Sequence, residues 1–221
     1  MRLKISKPIL QVALDVLELD VAVRIARSAV RGGVDWIEAG TPLIKSEGIK
    51  AVRVLSDMFR DHYVVADMKT MDTGALEAEL AIKNGARVVT VMGLAPDETI
   101  LGMVEKAKSS GAYVMADLMN VEDIIRRSRE LEDLGVDIVC IHLGIDQQRK
   151  MKIDFNTVKE LSESVNIPVA VAGGLNKSTA PLAVKAGARV IIVGGSITKA
   201  PDPEAATREI KISMDEAYEE P

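Results

Sequence analysis

Gly85-Ala86-Arg87-Val88-Val89-Thr90-Val91-Met92 joins a glycine to a short apolar run, and the same junction recurs along the chain. Gly33-Val34-Asp35, Gly85-Ala86-Arg87, Gly135-Val136-Asp137 and Gly187-Ala188-Arg189 are separated by 52, 50 and 52 residues. In each, the glycine suits a left-handed helix C-terminus, and the small apolar residue after it packs as the chain turns into a strand. Each triplet precedes an even-numbered member of a series of eight apolar runs: Leu10 to Leu14, Trp36 to Ala39, Tyr63 to Ala66, Val88 to Met92, Tyr113 to Ala116, Ile138 to Ile141, Pro168 to Ala172 and Val190 to Val193. Continuous apolar runs of this length read as strands buried on both faces, the signature of a parallel sheet. Four βαβα quarters of nearly equal length predict an α/β protein that closes, through right-handed crossovers, as a (β/α)8 TIM barrel. An open doubly wound sheet is the runner-up.

Helical spacing fills the gaps. Ala22, Ile25, Ala26 and Ala29 fall at i, i+3, i+4 and i+7, and Thr179, Leu182, Ala183 and Ala186 repeat the pattern. An acidic last helix is expected from Pro203 to about Glu219, its charge forming a solvated outer face. With 221 residues, 48% hydrophobic and without a linker-like change of composition, the chain reads as a single domain over 1–221.

Composition excludes several functions. A net charge of −5 and 3% aromatic residues argue against a nucleic-acid surface, which needs clustered cations and stacking rings. No run approaches the roughly 20 apolar residues of a membrane helix, and no signal-peptide core follows Met1 to Lys7. A soluble cytoplasmic protein acting on a small molecule is expected. The single cysteine, Cys140, lies between Val139 and Ile141 and reads as a buried structural thiol.

In a barrel of this kind, function gathers at the C-terminal ends of the strands. Those ends carry Asp15, Glu38, Asp67 with Lys69, Asp117, His142, Gly173-Gly174 and Gly194-Gly195-Ser196. Strand alternation is expected to put Asp67 and Lys69 on one side, with Met68 opposite. Asp15, Glu38 and Asp67 come from consecutive strands and face only one lysine. Their excess negative charge suits a hard divalent cation with oxygen ligands, Mg2+, although pairing with Lys69 and backbone amides is the alternative. Glycine turns after strands 7 and 8 let main-chain N–H groups approach a phosphate, which predicts a phosphorylated substrate. His142 can face that substrate and transfer a proton near neutrality. His62, ahead of strand 3, is expected on the surface at the opposite end.

Asp67-Met68-Lys69-Thr70-Met71-Asp72 matches the D-x-K-x-x-D hallmark of the orotidine 5′-monophosphate decarboxylase superfamily, which the chain resembles from about Leu10 to Ile210. Leu10 to Asp15, Glu38 to Ile44, His142 to Gln148 and Val193 to Thr198 resemble, within it, the 3-hexulose-6-phosphate synthase family. Decarboxylases of orotidine monophosphate are expected to place a lysine where Glu38 stands. The 3-keto-L-gulonate 6-phosphate decarboxylases resemble a pattern with arginines where Leu143 and Gly195 stand. The resemblance implies a reversible, Mg2+-dependent aldol addition of formaldehyde to D-ribulose 5-phosphate through an enediolate. It implies Glu38 and Asp67 as metal ligands, Lys69 as a second positive charge, and His142, or less directly Asp117, in proton transfer. Asp15 would orient Lys69 or substrate hydroxyls, and Gly173, Gly174, Gly194, Gly195 and Ser196 would anchor the phosphate. A homodimer with shared active sites is implied, with Asp72 reaching the neighbour's site. Two alternatives are a 3-keto-L-gulonate 6-phosphate decarboxylase and a sugar-phosphate-binding barrel without catalysis.

Overall fold

The computed structural model describes residues 3–219. Eight parallel strands close into a barrel in sequence order: β1 (Ile9–Leu14), β2 (Trp36–Ala39), β3 (Tyr63–Thr70), β4 (Val88–Met92), β5 (Tyr113–Asp117), β6 (Ile138–His142), β7 (Val169–Ala172) and β8 (Val190–Val193). The β8–β1 pairing completes the ring through Ile9–Val190 to Val12–Val193. This is the expected TIM barrel, and the doubly wound alternative falls with the closure.

Around it lie α1 (Leu19–Arg31), α2 (Thr41–Glu47), α3 (Lys50–Met58), α4 (Gly74–Lys83), α5 (Asp97–Ser110), α6 (Ile124–Leu134), α7 (Phe155–Ser164), α8 (Ala180–Lys185), α9 (Gly195–Thr198) and α10 (Pro203–Glu219). The four repeat glycines take φ values of 94°, 94°, 93° and 96° at Gly33, Gly85, Gly135 and Gly187. Only glycine adopts that left-handed conformation without a Cβ penalty, so the repeat marks the same turn four times.

Ala22, Ile25, Ala26 and Ala29 are the buried face of α1, as their spacing predicts. The face expected for α8 is shifted. Ala180, Ala183 and Val184 are buried while Leu182 is 46% exposed. A helix of six residues carrying small apolar side chains on two overlapping faces is oriented by close approach, which favours alanine over leucine.

Inward positions follow from register. Gln11 pairs with Trp36 and Ala13 with Glu38; Thr90 pairs with Met115, Asp117 with Cys140 and His142 with Ala172. The interior cluster includes Ala13, Trp36, Val65, Val88, Met115, Ile138, Cys140, Ala170 and Ile192. Trp36 stacks on Tyr63 (5.4 Å) and Tyr63 on Tyr113 (6.4 Å) at the N-terminal end, plugging the barrel from below. The larger apolar layer lies between strands and helices. The site is thus left at the C-terminal end. His62 precedes β3 at the opposite end, half-buried. Among the described residues no helix is long and apolar enough to cross a membrane.

Candidate active site

A cavity of about 1200 Å³ opens over the strand ends, lined by Asp15, Glu38, Asp67, Lys69, Asp117 and His142 together with the glycine turns after β7 and β8. Except for Asp72, every residue assigned a site role from the sequence reaches this one space. Asp72 stands exposed just before α4, its Oδ1 accepting the Thr73 N–H at 2.7 Å, outside the cavity of its own chain.

Lys69 reaches the site by a route that alternation does not predict. From Ala66 to Thr70 β3 advances four residues, while β4 advances two, from Val89 to Val91. The excess forms a bulge, and Lys69 adopts a left-handed φ of 48°. Thr90 holds it there: its hydroxyl accepts the Lys69 N–H at 3.0 Å and donates to Asp67 Oδ1 at 2.9 Å. Lys69 Nζ then lies 2.7 Å from Asp67 Oδ2 and 3.2 Å from Asp117 Oδ2. A non-glycine residue held at positive φ beside the charges it bridges is the kind of strain that functional sites retain.

Two linked carboxylates share this lysine. Burial by itself would lower the Lys69 pKa, but Asp67 and Asp117 outweigh it and hold the ammonium protonated above the ordinary lysine range. Asp117 accepts from Met119 N–H (2.9 Å) through Oδ1 and faces His142 Nδ1 (2.7 Å) through Oδ2. Burial would raise its pKa; the His142 hydrogen bond and the charges of His142 and Lys69 reverse that and keep it below the usual aspartate value.

Glu38 differs. It is buried, with its pKa driven well up by burial, then by Asp67 and by Asp15, and among the described residues its side chain has one hydrogen-bond partner, the Gln11 amide. Asp15 opens to the cavity, yet partial burial of its carboxyl and then the charge of Asp67 raise its pKa, with Lys69 and His142 opposing. Thr41 donates to Asp67, whose Oδ2 and carbonyl oxygen both lie 2.7 Å from its hydroxyl. Of the cations lining the cavity, Lys69 is the one that ion-pairs with these carboxylates among the described residues, and Asp15, Glu38, Asp67 and Asp117 all gather around it. A divalent cation fits such a surplus of hard oxygen donors. Among the described residues no group of three or more His, Cys, Asp or Glu side chains is arranged to hold a metal unaided. Two carboxylates with water or substrate oxygens is the pattern magnesium uses.

The glycine turns have a geometry that could seat an anion. Gly173 has φ 117° and Gly174 has φ 69°; a Cβ on Gly173 would collide with the Leu143 carbonyl oxygen, so no other residue fits. Gly194 precedes the single turn of α9, whose first N–H groups have no partner within the helix. Ser196 donates its hydroxyl proton to the Leu175 carbonyl (2.7 Å), tying the two turns together, so what it offers an anion is its main-chain N–H. Cys140 lines the cavity floor, its thiol pKa pushed well up by burial, which makes it inert packing.

Gln11, Thr41, Thr90 and Lys199 were not legible as site residues. A single polar residue at an inward position of an apolar strand was the available signal for Gln11 and Thr90. Lys199 also lines the cavity, its Cδ lying 3.8 Å from where a Gly195 side chain would begin.

Fold and site together define a barrel enzyme with an acid–lysine–histidine network and two glycine turns at its strand ends. The chain belongs to the Orotidine 5′-phosphate decarboxylase / HUMPS family, which it matches over residues 8–210. It is 42% identical to the 3-hexulose-6-phosphate synthase of Mycobacterium gastri over 205 residues, 93% of this chain and 99% of that protein. A crystal structure of a 3-hexulose-6-phosphate synthase superimposes with a TM-score of 0.89 at 42% identity, covering 93% of this chain and 99% of the other. The crystal structure of KGPDC from Streptococcus mutans gives a TM-score of 0.86 at 29% identity, covering 96% of this chain and 100% of the other.

Proposed function

We propose that this protein is a 3-hexulose-6-phosphate synthase, adding formaldehyde reversibly to D-ribulose 5-phosphate to form D-arabino-3-hexulose 6-phosphate. The observation that carries the chemistry is the chain of contacts from Lys69 through Asp117 to His142. An ionised Asp117 can only accept, so the facing His142 Nδ1 carries hydrogen and Nε2 is left as the basic nitrogen. His142 takes a proton from C1 of the pentulose phosphate. Lys69, fixed and cationic, stabilises the negative charge that grows on the adjacent oxygens. The C1–C bond then forms to formaldehyde, and His142 returns its proton to the former aldehyde oxygen.

Asp117, engaged at both oxygens, orients His142 and Lys69 and is no base. Asp15 at the rim suits the sugar hydroxyls, and the turns at Gly173-Gly174 and Gly194-Gly195-Ser196 suit the phosphate. Glu38 and Asp67 would hold magnesium. When bound, the ion supplies Lewis-acid polarisation of the substrate carbonyl.

The 42% identity to the M. gastri synthase over nearly both whole chains supports this branch, as do Leu143 and Gly195 at the places of two expected arginines. Mixing the protein with magnesium, formaldehyde and ribulose 5-phosphate tests the reading. Hexulose 6-phosphate should accumulate and chelation should stop it; tight sugar-phosphate binding without product or C1 exchange would favour a non-catalytic barrel.

The same reading includes a homodimer. Asp72 lies outside its own cavity, and Met71, Leu76 and Leu80 close to it are 48%, 65% and 44% exposed, an apolar surface suited to a second copy. Sedimentation velocity should give a dimer. Mixed dimers of Asp72→Asn and Lys69→Ala chains should recover part of the activity each variant lacks.

A further inference from the structure

Gln11 projects from β1 into the barrel, with Trp36 of β2 and Ile192 of β8 as its register partners. It is fully buried, its Nε2 donates to Glu38 Oε2, and its Oε1 has no hydrogen-bond partner among the described residues. If the position served packing alone, methionine or leucine would fill it without stranding a buried amide oxygen, and apolar residues occupy most of the surrounding interior. The amide is instead aimed at Glu38, the buried acidic side chain of the site that pairs with neither Lys69 nor a hydroxyl among the described residues; Asp15, likewise without such a pair, opens to the cavity. Asp67 is held by Thr41, Thr90 and Lys69, and Asp117 by Met119, Lys69 and His142. Among the described residues the Glu38 side chain has only Gln11.

We infer that Gln11 is a positioning residue for the metal: by fixing one oxygen of Glu38 from below, it leaves the other presented to a divalent cation in the cavity. The inference rests on the magnesium reading above and concerns a residue that touches neither substrate nor ion. Partners that orient a metal-ligating carboxylate typically change affinity by about 10–100-fold when removed.

The test is a titration with Mn2+ alone, read as free ion by electron paramagnetic resonance, without substrate. Unaltered protein should bind the ion, and Gln11→Met should bind it about 10–100-fold more weakly while keeping a cooperative melt. Equal affinity in the two, whatever the change in melting temperature, overturns the inference and leaves the metal reading intact. No binding by the unaltered protein overturns the metal reading and this inference with it. Should Gln11→Met not fold, the side-chain amide nitrogen resonance of Gln11 in the unaltered protein decides. It should move on adding Mg2+, and a resonance that stays in place overturns the inference.

Discussion

His142 Nδ1 lies 2.7 Å from Asp117 Oδ2 across neighbouring strands, which fixes the ring and leaves Nε2 toward the cavity. His142→Asn should keep ribulose 5-phosphate binding and lose exchange of the C1 proton with solvent, since an amide is no base near neutral pH. Asp117→Asn should lose about 10²–10⁴-fold in the same exchange by releasing the tautomer, although no proton resides on Asp117 in the reaction. Deuterium incorporation from heavy water, without formaldehyde, measures both. Exchange at the unaltered rate in His142→Asn would move the base elsewhere.

Lys69→Ala should reduce turnover about 10²–10³-fold, the usual loss on removing one preorganised charge-stabilising contact. It also removes one cation from between two carboxylates while the left-handed backbone at position 69 remains, so the melting temperature should fall modestly. Melting temperature and turnover measured on the one variant separate the roles. Severe unfolding with normal turnover of the folded fraction would make Lys69 a structural ion pair.

At the other end of the cavity, Lys199 faces the space above Gly195 and makes no ion pair among the described residues. Lys199→Gln should raise KM for ribulose 5-phosphate about ten-fold, the scale of a hydrogen bond to a charged group, with kcat little changed. Steady-state kinetics with the phosphorylated and the unphosphorylated pentulose read this directly, since only the phosphorylated sugar should respond.

Acid should expose the Asp117 network. Its folded pKa lies below the ordinary value of 3.8, so the native state holds fewer protons there than the unfolded chain. The network's stabilisation is therefore complete above that value and is lost as pH falls through the lowered one. Asp117→Asn should narrow its stability deficit against the unaltered protein between about pH 7 and about pH 3. Urea denaturation at the two pH values checks it; a constant deficit would contradict the shift.

Eight strands and four turns were legible because burial on both faces leaves continuous apolar runs, and because a left-handed helix end selects glycine at Gly33, Gly85, Gly135 and Gly187. The strand-end carboxylates were legible for the complementary reason: charge at the end of an apolar run is unfavourable unless it is used. The bulge at Lys69 left no such trace. Its cause is a long-range contact with Thr90, twenty-one residues away, and local alternation carries no information about it. Leu182 was misread because two apolar faces overlap on α8, and only packing against neighbours chooses between them. Ser196 was expected among the residues anchoring the phosphate, and folding directs its hydroxyl proton to Leu175, a long-range contact that the local sequence does not show.

The reaction itself is tested most directly by kcat/KM for three substrates assayed in parallel with magnesium: D-arabino-3-hexulose 6-phosphate, 3-keto-L-gulonate 6-phosphate and orotidine 5′-monophosphate. Glu38 in place of a lysine predicts no turnover of the nucleotide, and Leu143 and Gly195 in place of arginines predict at best poor turnover of the keto-gulonate. The hexulose phosphate should release formaldehyde and ribulose 5-phosphate with the highest kcat/KM of the three. A higher value for the keto-gulonate compound would contradict the synthase reading.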